Sequence, residues 1–268
     1  MLSPSSVGDS ATLNTVATNK PLVDDILREA HDPDLRDWEL TLKVHQFRIY
    51  RRPYTRHNPY AGLSDSSNTS ETPTPTGYPT QVGTPDEPAT SDQSPLYEYK
   101  VVGHYHDVKA AVLDQVYTDW EYRKTWDVNM LGWQPVGPNQ FHYIVKYPFP
   151  LCARDYVYEL TKIRDNRDGK LSWITMGLSM ANSTVNSEDG VPRKVPKVAK
   201  GRIRVKDYFQ CLVVTPLPTG TGCQVYLHYY ENPCEAIPDF IVNWAMKAGI
   251  PAFIKNLHDA CQRYKKPV

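Results

Sequence analysis

Arg123 and Asp127 stand four residues apart in the string Tyr122-Arg-Lys-Thr-Trp-Asp127, a spacing that sets a guanidinium and a carboxylate on one face of a helix. A guanidinium presents a planar fork of donors suited to phosphate oxygens, and if buried it needs a counterion. On spacing alone the same pair is commonly a solvated surface contact. The second concentration is aromatic. Phe141, Tyr143, Val145 and Tyr147 alternate onto one strand face, Pro148 and Pro150 stop the strand and fix a corner, and Arg154-Asp-Tyr-Val-Tyr158 opens another aromatic strand. Several tyrosines can therefore converge on one interior surface. Taken singly, tyrosines on strands are ordinarily packing.

Other chemistries find little support. Gly177-Leu-Ser-Met-Ala181 approaches the G-x-S-x-G nucleophile elbow, but its last residue is alanine and strand-like sequence surrounds it. His104 and His106 share a strand face without the motifs that would make them a metal site. The reading is therefore a non-enzymatic protein with no cofactor and no metal. Formal net charge is zero, so nothing overall attracts nucleic acid. Five cysteines form no C-x-x-C pair, which fits reduced thiols and a cytoplasmic setting.

The 268 residues suffice for one domain with extensions. Residues 1–20 are rich in Ser, Thr and Asn and read as a disordered tail; 21–268 form the domain, interrupted at about 53–95 by a Ser/Thr/Pro-rich insertion expected to be disordered. That insertion holds four proline-directed Ser/Thr sites and the sequon at Asn68; a second sequon stands at Asn182. Periodicity predicts a short helix at 22–29, strands at 38–50 and 96–104, and a helix N-capped by Asp107 that continues through 119–127. Strands follow at 141–147, 155–164, 170–178, 201–214 and 223–230, before a long helix from Pro238. The class is α+β with an antiparallel sheet whose one face the helices cover. Parity poses a conflict, because Arg202, Arg204, Lys206 and Tyr208 share one face of a regular strand; an inward Tyr208 requires a break after Lys206. Arg193, Lys194, Lys197, Lys200, Arg202, Arg204 and Lys206 form a basic stretch that could attract anionic headgroups or simply be solvated.

The Tyr122–Asp127 string, the Lys146–Tyr158 corner, Gly201-Arg-Ile-Arg-Val-Lys-Asp-Tyr208 and the ending Asn243-Trp-Ala-Met-Lys-Ala-Gly-Ile-Pro-Ala-Phe-Ile254 together resemble the START-domain family of lipid carriers, its phosphatidylcholine-carrying members above all. The resemblance spans about 36 to 265 outside the insertion. It implies the helix-grip fold, a curved antiparallel sheet wrapped around a long C-terminal helix with an internal lipid tunnel. It implies a cytoplasmic carrier of one phosphatidylcholine that contacts membranes transiently, with a lipid-gated adaptor or a carrier also accepting phosphatidylethanolamine as alternatives. By the same resemblance Arg123, Tyr117 and Gln210 bind the lipid phosphate and Asp127 holds the arginine. Tyr143, Tyr156 and Tyr208 cage the choline, with Tyr143 standing where those members carry tryptophan. Phe240, Trp244 and Phe253 on the amphipathic C-terminal helix are expected to serve as a lid that meets the membrane.

Overall fold

Trp38 to Tyr50, expected as one strand, is a hairpin. β1 (Glu39–Val44) turns at His45, whose φ of 51° lies in the left-handed region, and pairs antiparallel with β2 (Phe47–Pro53). The computed structural model describes residues 20–55, 58–60, 96–167, 169–180, 185–186, 192–193 and 195–267. The remaining elements, in chain order, begin with α1 (Lys20–His31), which precedes the hairpin, and β3 (Tyr97–Tyr105), which follows it. Next come α2 (Ala110–Thr118), α3 (Trp120–Arg123), β4 (Met130–Gly137), β5 (Gln140–Val145), β6 (Ala153–Arg167) and β7 (Lys170–Ser179). After the two-residue strands β8 (Val185–Asn186) and β9 (Pro192–Arg193) come β10 (Arg202–Val205), β11 (Tyr208–Pro216) and β12 (Cys223–Glu231). The chain closes with α4 (Asp239–Trp244), a π turn at Ala245–Gly249 and α5 (Ile250–Arg263).

The main sheet runs β1-β2-β3-β12-β11-β7-β6-β5-β4. It is antiparallel throughout that path, but β10 adds to β6 in parallel, against the expectation of a purely antiparallel sheet. β6 is long enough to change partners: residues 154–159 pair with β5, 158–167 with β7, and 153–156 with β10. The strand expected at 201–214 is two, β10 and β11, separated at Lys206-Asp207. That break resolves the parity conflict and turns Tyr208 inward, where it is 9% exposed. β4 went unforeseen, because Gly132, Pro135 and Gly137 obscure its alternation.

Both faces of the sheet are covered, rather than one. On the outside, Val23, Ile26 and Ala30 of α1 join Ile174, Met176, Cys211 and Val213 in one apolar cluster. Lys100 fastens this helix, its Nζ donating to Glu29 Oε1 at 2.5 Å and to the Asp34 carbonyl at 3.0 Å. On the inside, Leu113 and Val116 of α2 and Ile254, Leu257 and Cys261 of α5 pack on Trp173, Leu212, Val214 and Val225. Asp107 does not cap α2; Lys109 is its N-cap, without a side-chain bond. The Asp107 carboxylate instead accepts from His258 Nε2 at 2.9 Å and Gln262 Nε2 at 2.9 Å, tying α5 to the start of α2. Asp119 caps α3, accepting from the Tyr122 N–H at 3.1 Å.

Two tyrosines within the span assigned to the insertion belong to the domain. Tyr54 stacks on Tyr230 with centroids 3.5 Å apart, and Tyr60, 5% exposed, meets His228 Nδ1 at 2.8 Å. Residues 1–19, 56–57 and 61–95, with the proline-directed Ser/Thr sites and Asn68, lie outside the described residues, as does Asn182. Cys211, Cys223 and Cys261 are free, and burial pushes each thiol up to about 12. Among the described residues no helix is long and apolar enough to cross a membrane.

Candidate functional site

Between the inner face of the sheet and the α4–α5 segment lies a cavity of about 700 Å³. The helical wall presents Ile241, Ala245, Gly249 and Phe253 to it. A four-residue repeat stays on one line only where a turn holds more than the usual 3.6 residues, and the π turn at Ala245–Gly249 supplies that turn. Gly249 accommodates the Trp244 ring, since a Cβ there would lie 3.2 Å from it.

Arg123 and Asp127 are buried, at 8% and 6% exposure, and both line the cavity. Arg123 Nε donates to Asp127 Oδ2 at 2.9 Å, and Nη1 donates to the Tyr117 carbonyl at 3.3 Å. Asp127 also accepts from the Tyr143 hydroxyl at 3.2 Å and from the Asn129 N–H at 3.2 Å. Burial works against the guanidinium charge, but Tyr143, Tyr117 and the Asp127 carboxylate outweigh it and hold Arg123 more firmly protonated than a free arginine. Four rings surround it, with centroids at 4.9 Å for Tyr117, 5.4 Å for Trp120, 5.5 Å for Tyr143 and 5.6 Å for Trp126. Spacing alone did not separate this buried pair from a surface contact; packing does.

The other expected phosphate contacts stand beside it. Tyr117 donates its hydroxyl to Gln210 Oε1 at 3.1 Å, which leaves the Gln210 amide N–H₂ free of that bond to serve as a donor. Gly177, drawn from the failed nucleophile-elbow match, pairs with Gln210 across β7 and β11. A Cβ there would lie 3.3 Å from the Gln210 side chain and 3.4 Å from the Tyr208 hydroxyl, so the bare backbone makes room for both.

Tyr143, Tyr156 and Tyr208 all line the cavity. Tyr143 and Tyr156 face each other across β5 and β6 with centroids 6.3 Å apart, and Tyr156 meets Tyr208 edge-on at 5.5 Å. Burial raises all three phenols above the ordinary tyrosine value, so they stay neutral. Tyr143 has a double attachment, its ring near Arg123 and its hydroxyl on Asp127. Tyr147, beyond the end of β5, Tyr158 and Tyr229 extend the same wall.

Of the three residues expected at the lid, Phe240 and Trp244 are 60% and 46% exposed. The third, Phe253, is half-buried, its ring 5.7 Å from Trp126, and lines the cavity together with Trp244. Arg204 leaves the basic stretch, since it is paired with the fully buried Asp155 and donates to the Pro196 carbonyl at 2.7 Å. His104 and His106 touch each other through Nε2 at 3.0 Å, and no third metal-ligating side chain joins them among the described residues. Sequence reasoning missed Glu231 in the cavity wall, where it accepts from the Tyr147 hydroxyl and, at 2.5 Å, from the Tyr156 hydroxyl. The strand β12 carries it past the last alternating apolar position, and only the paired geometry exposes its role.

A curved sheet closed by a C-terminal helix over a mostly apolar cavity with one buried ion pair is the architecture of the START domains, and the chain belongs to that family: its model matches residues 76–267. The match begins downstream of α1, β1 and β2. The human phosphatidylcholine transfer protein is 38% identical over 179 residues, covering 65% of this chain and 77% of that protein. Its mouse counterpart is 36% identical over 176 residues, with 65% and 77% covered. The crystal structure of human STARD10 superposes with a TM-score of 0.58 at 18% identity, covering 92% of this chain and 80% of that one, a likeness of fold.

Proposed function

We propose that this protein is a carrier that encloses one phosphatidylcholine molecule and moves it between membranes through the cytoplasm without covalent change. The observation that carries this reading is the buried Arg123–Asp127 pair opening onto a cavity walled by tyrosines. The fork of Arg123, with the Tyr117 and Gln210 side chains beside it, suits the phosphate; Tyr156, Tyr208 and Tyr143 suit the trimethylammonium. Acyl chains need the enclosed apolar remainder, because each CH₂ held out of water is worth about 0.8 kcal/mol. The half-exposed Trp244, which also lines the cavity, and Phe240 would meet the membrane while lipid enters. Relatives that bear the name phosphatidylcholine transfer protein support the same ligand.

Native mass spectrometry of the purified protein, followed by transfer between labelled and acceptor vesicles, tests the proposal. One phosphatidylcholine per chain and stoichiometric transfer are the expected results. Tyr208→Leu is the cleanest probe of the cage, because Tyr143 is also bonded to the anchor. It should lose phosphatidylcholine more than phosphatidylethanolamine, whose primary ammonium can hydrogen-bond instead. Equal loss of both lipids would reduce the tyrosine to tunnel packing.

A further inference from the structure

The charged side chains of the cavity do not all cancel in pairs. Arg123 is matched by Asp127, Arg51 by Glu39 and Glu235 by Arg154, and the exposed Lys146 and Asp239, one of each sign, also line the cavity. Glu231 has no cationic partner among the described residues; its carboxylate is held by the Tyr147 and Tyr156 hydroxyls. Phenols satisfy lone pairs of a carboxylate but do not neutralise it, and a carboxylate has about four acceptor sites, so capacity remains. Burial first, and then the Glu231 charge, raise the Tyr156, Tyr147 and Tyr229 phenols and keep them neutral donors.

Its position relative to the anchor is set by a continuous run of contacts. Arg123 binds Asp127, Asp127 takes the Tyr143 hydroxyl, Tyr143 faces Tyr156 at 6.3 Å, and Tyr156 donates to Glu231 at 2.5 Å. On β11 and β12, Tyr208 and Glu231 are direct cross-strand partners. The cationic and anionic groups thus stand at opposite ends of the tyrosine wall. We infer that Glu231 is the specificity-determining counter-charge for the cationic end of the lipid headgroup, so that the cavity selects zwitterionic phospholipids and rejects those bearing phosphate without an amine cation.

This rests on the phosphate-at-Arg123 reading proposed above. Over the charged side chains that line the cavity, Arg51, Arg123 and Lys146 stand against Asp127, Glu231, Glu235 and Asp239, a balance of one negative charge; a zwitterion leaves that balance unchanged, whereas an anionic headgroup adds a second negative charge. The tyrosine rings then receive a cation that a carboxylate beyond them also attracts. The Tyr147 and Tyr156 hydroxyls hold that carboxylate in place.

Competition for mixed vesicles of phosphatidylcholine and phosphatidylglycerol, with bound lipid read by native mass spectrometry, tests the assignment on the full chain. Glu231→Gln keeps the shape and an acceptor oxygen but removes the charge. It should lower the bound phosphatidylcholine to phosphatidylglycerol ratio by about tenfold, and Glu231→Asp should restore most of it. Tyr147→Phe separates charge from structure, since it breaks one of the same hydrogen bonds but leaves the carboxylate and should hold or raise the ratio. A ratio unchanged in Glu231→Gln, or lowered equally by Tyr147→Phe, overturns the inference. Arg123→Ala run alongside distinguishes the failures: if it loses both lipids while Glu231→Gln changes nothing, the anchor stands and the counter-charge falls. If Arg123→Ala retains both lipids, the phosphate reading fails and the inference goes with it.

Discussion

Replacing Arg123 tests the anchor most directly, and the structure sets the size of the effect. A guanidinium has five N–H donors; two are engaged, on Asp127 at 2.9 Å and on the Tyr117 carbonyl at 3.3 Å. Three remain for a ligand. A hydrogen bond to a charged group contributes about 1.5–3 kcal/mol, so losing even one weakens binding roughly 12- to 160-fold. Arg123→Ala also strands a carboxylate that is 6% exposed, at a cost of about 3–5 kcal/mol to the fold. A low melting temperature in that variant alone would confuse stability with recognition. The pair Arg123→Met and Asp127→Asn removes both charges together; the amide oxygen can still accept from the Asn129 N–H, now on Oδ1, and the amide N–H₂ can donate to the Tyr143 hydroxyl, now on Oδ2. This double variant should recover much of the lost melting temperature while transferring phosphatidylcholine at least about tenfold more slowly. Calorimetry and a vesicle transfer assay on the two variants separate the terms. Transfer by the double variant within about twofold of the parent would refute the role of Arg123, since its three free donors could then contribute almost nothing.

Gly177→Ala should weaken lipid binding several-fold with a near-normal melting temperature, because its Cβ would press on Gln210 at 3.3 Å while touching the Tyr208 hydroxyl at 3.4 Å; unchanged binding would show that the Gln210 side chain has slack. Deleting residues 61–94 should leave the melting temperature and transfer almost as they are. Extending the deletion back to Thr55 removes Tyr60, whose ring is 5% exposed, and should cost roughly 3–12 °C; equal melting of the two deletions would contradict the packing of that ring. His228, buried at 5% exposure, has its pKa lowered, by burial above all and against the pull of Glu98. The unfolded chain therefore takes up a proton near pH 6.5 that the folded protein still refuses, and stability falls as pH drops through that value. His228→Gln should flatten the melting temperature between about pH 7.5 and 5.5, a window above the one in which Glu98, itself lowered, loses its contribution; parallel slopes would refute the assignment.

What the sequence made legible, and what it did not, follows from the range over which each residue is constrained. The β5 and β6 tyrosines declare themselves through period-two alternation and proline stops, which are local. The sheet face that covers α1 and the partner of Asp107 depend on residues far away in the chain: His258 and Gln262 lie about 150 positions from the carboxylate they hold. Phe253 was grouped with Phe240 and Trp244 for the amphipathic mixture around them, and its place on the cavity wall depends on the π turn at 245–249, which local pattern does not declare. The Arg123–Asp127 pair shows the same limit at the site itself. Its spacing is a helix property, visible in six letters, whereas its burial is a property of Tyr117, Trp120, Trp126 and Tyr143 brought in from three elements and a turn. Glu231 is the extreme case, since nothing adjacent to it in sequence marks it. It gains meaning only because Tyr147 and Tyr156, 84 and 75 residues earlier, turn their hydroxyls onto it. Local pattern therefore reveals which residues can bind a phosphate or a cation, while the sheet order, which sets β5 and β6 on one side of β7 and β11 and β12 on the other, decides which of them share one cavity.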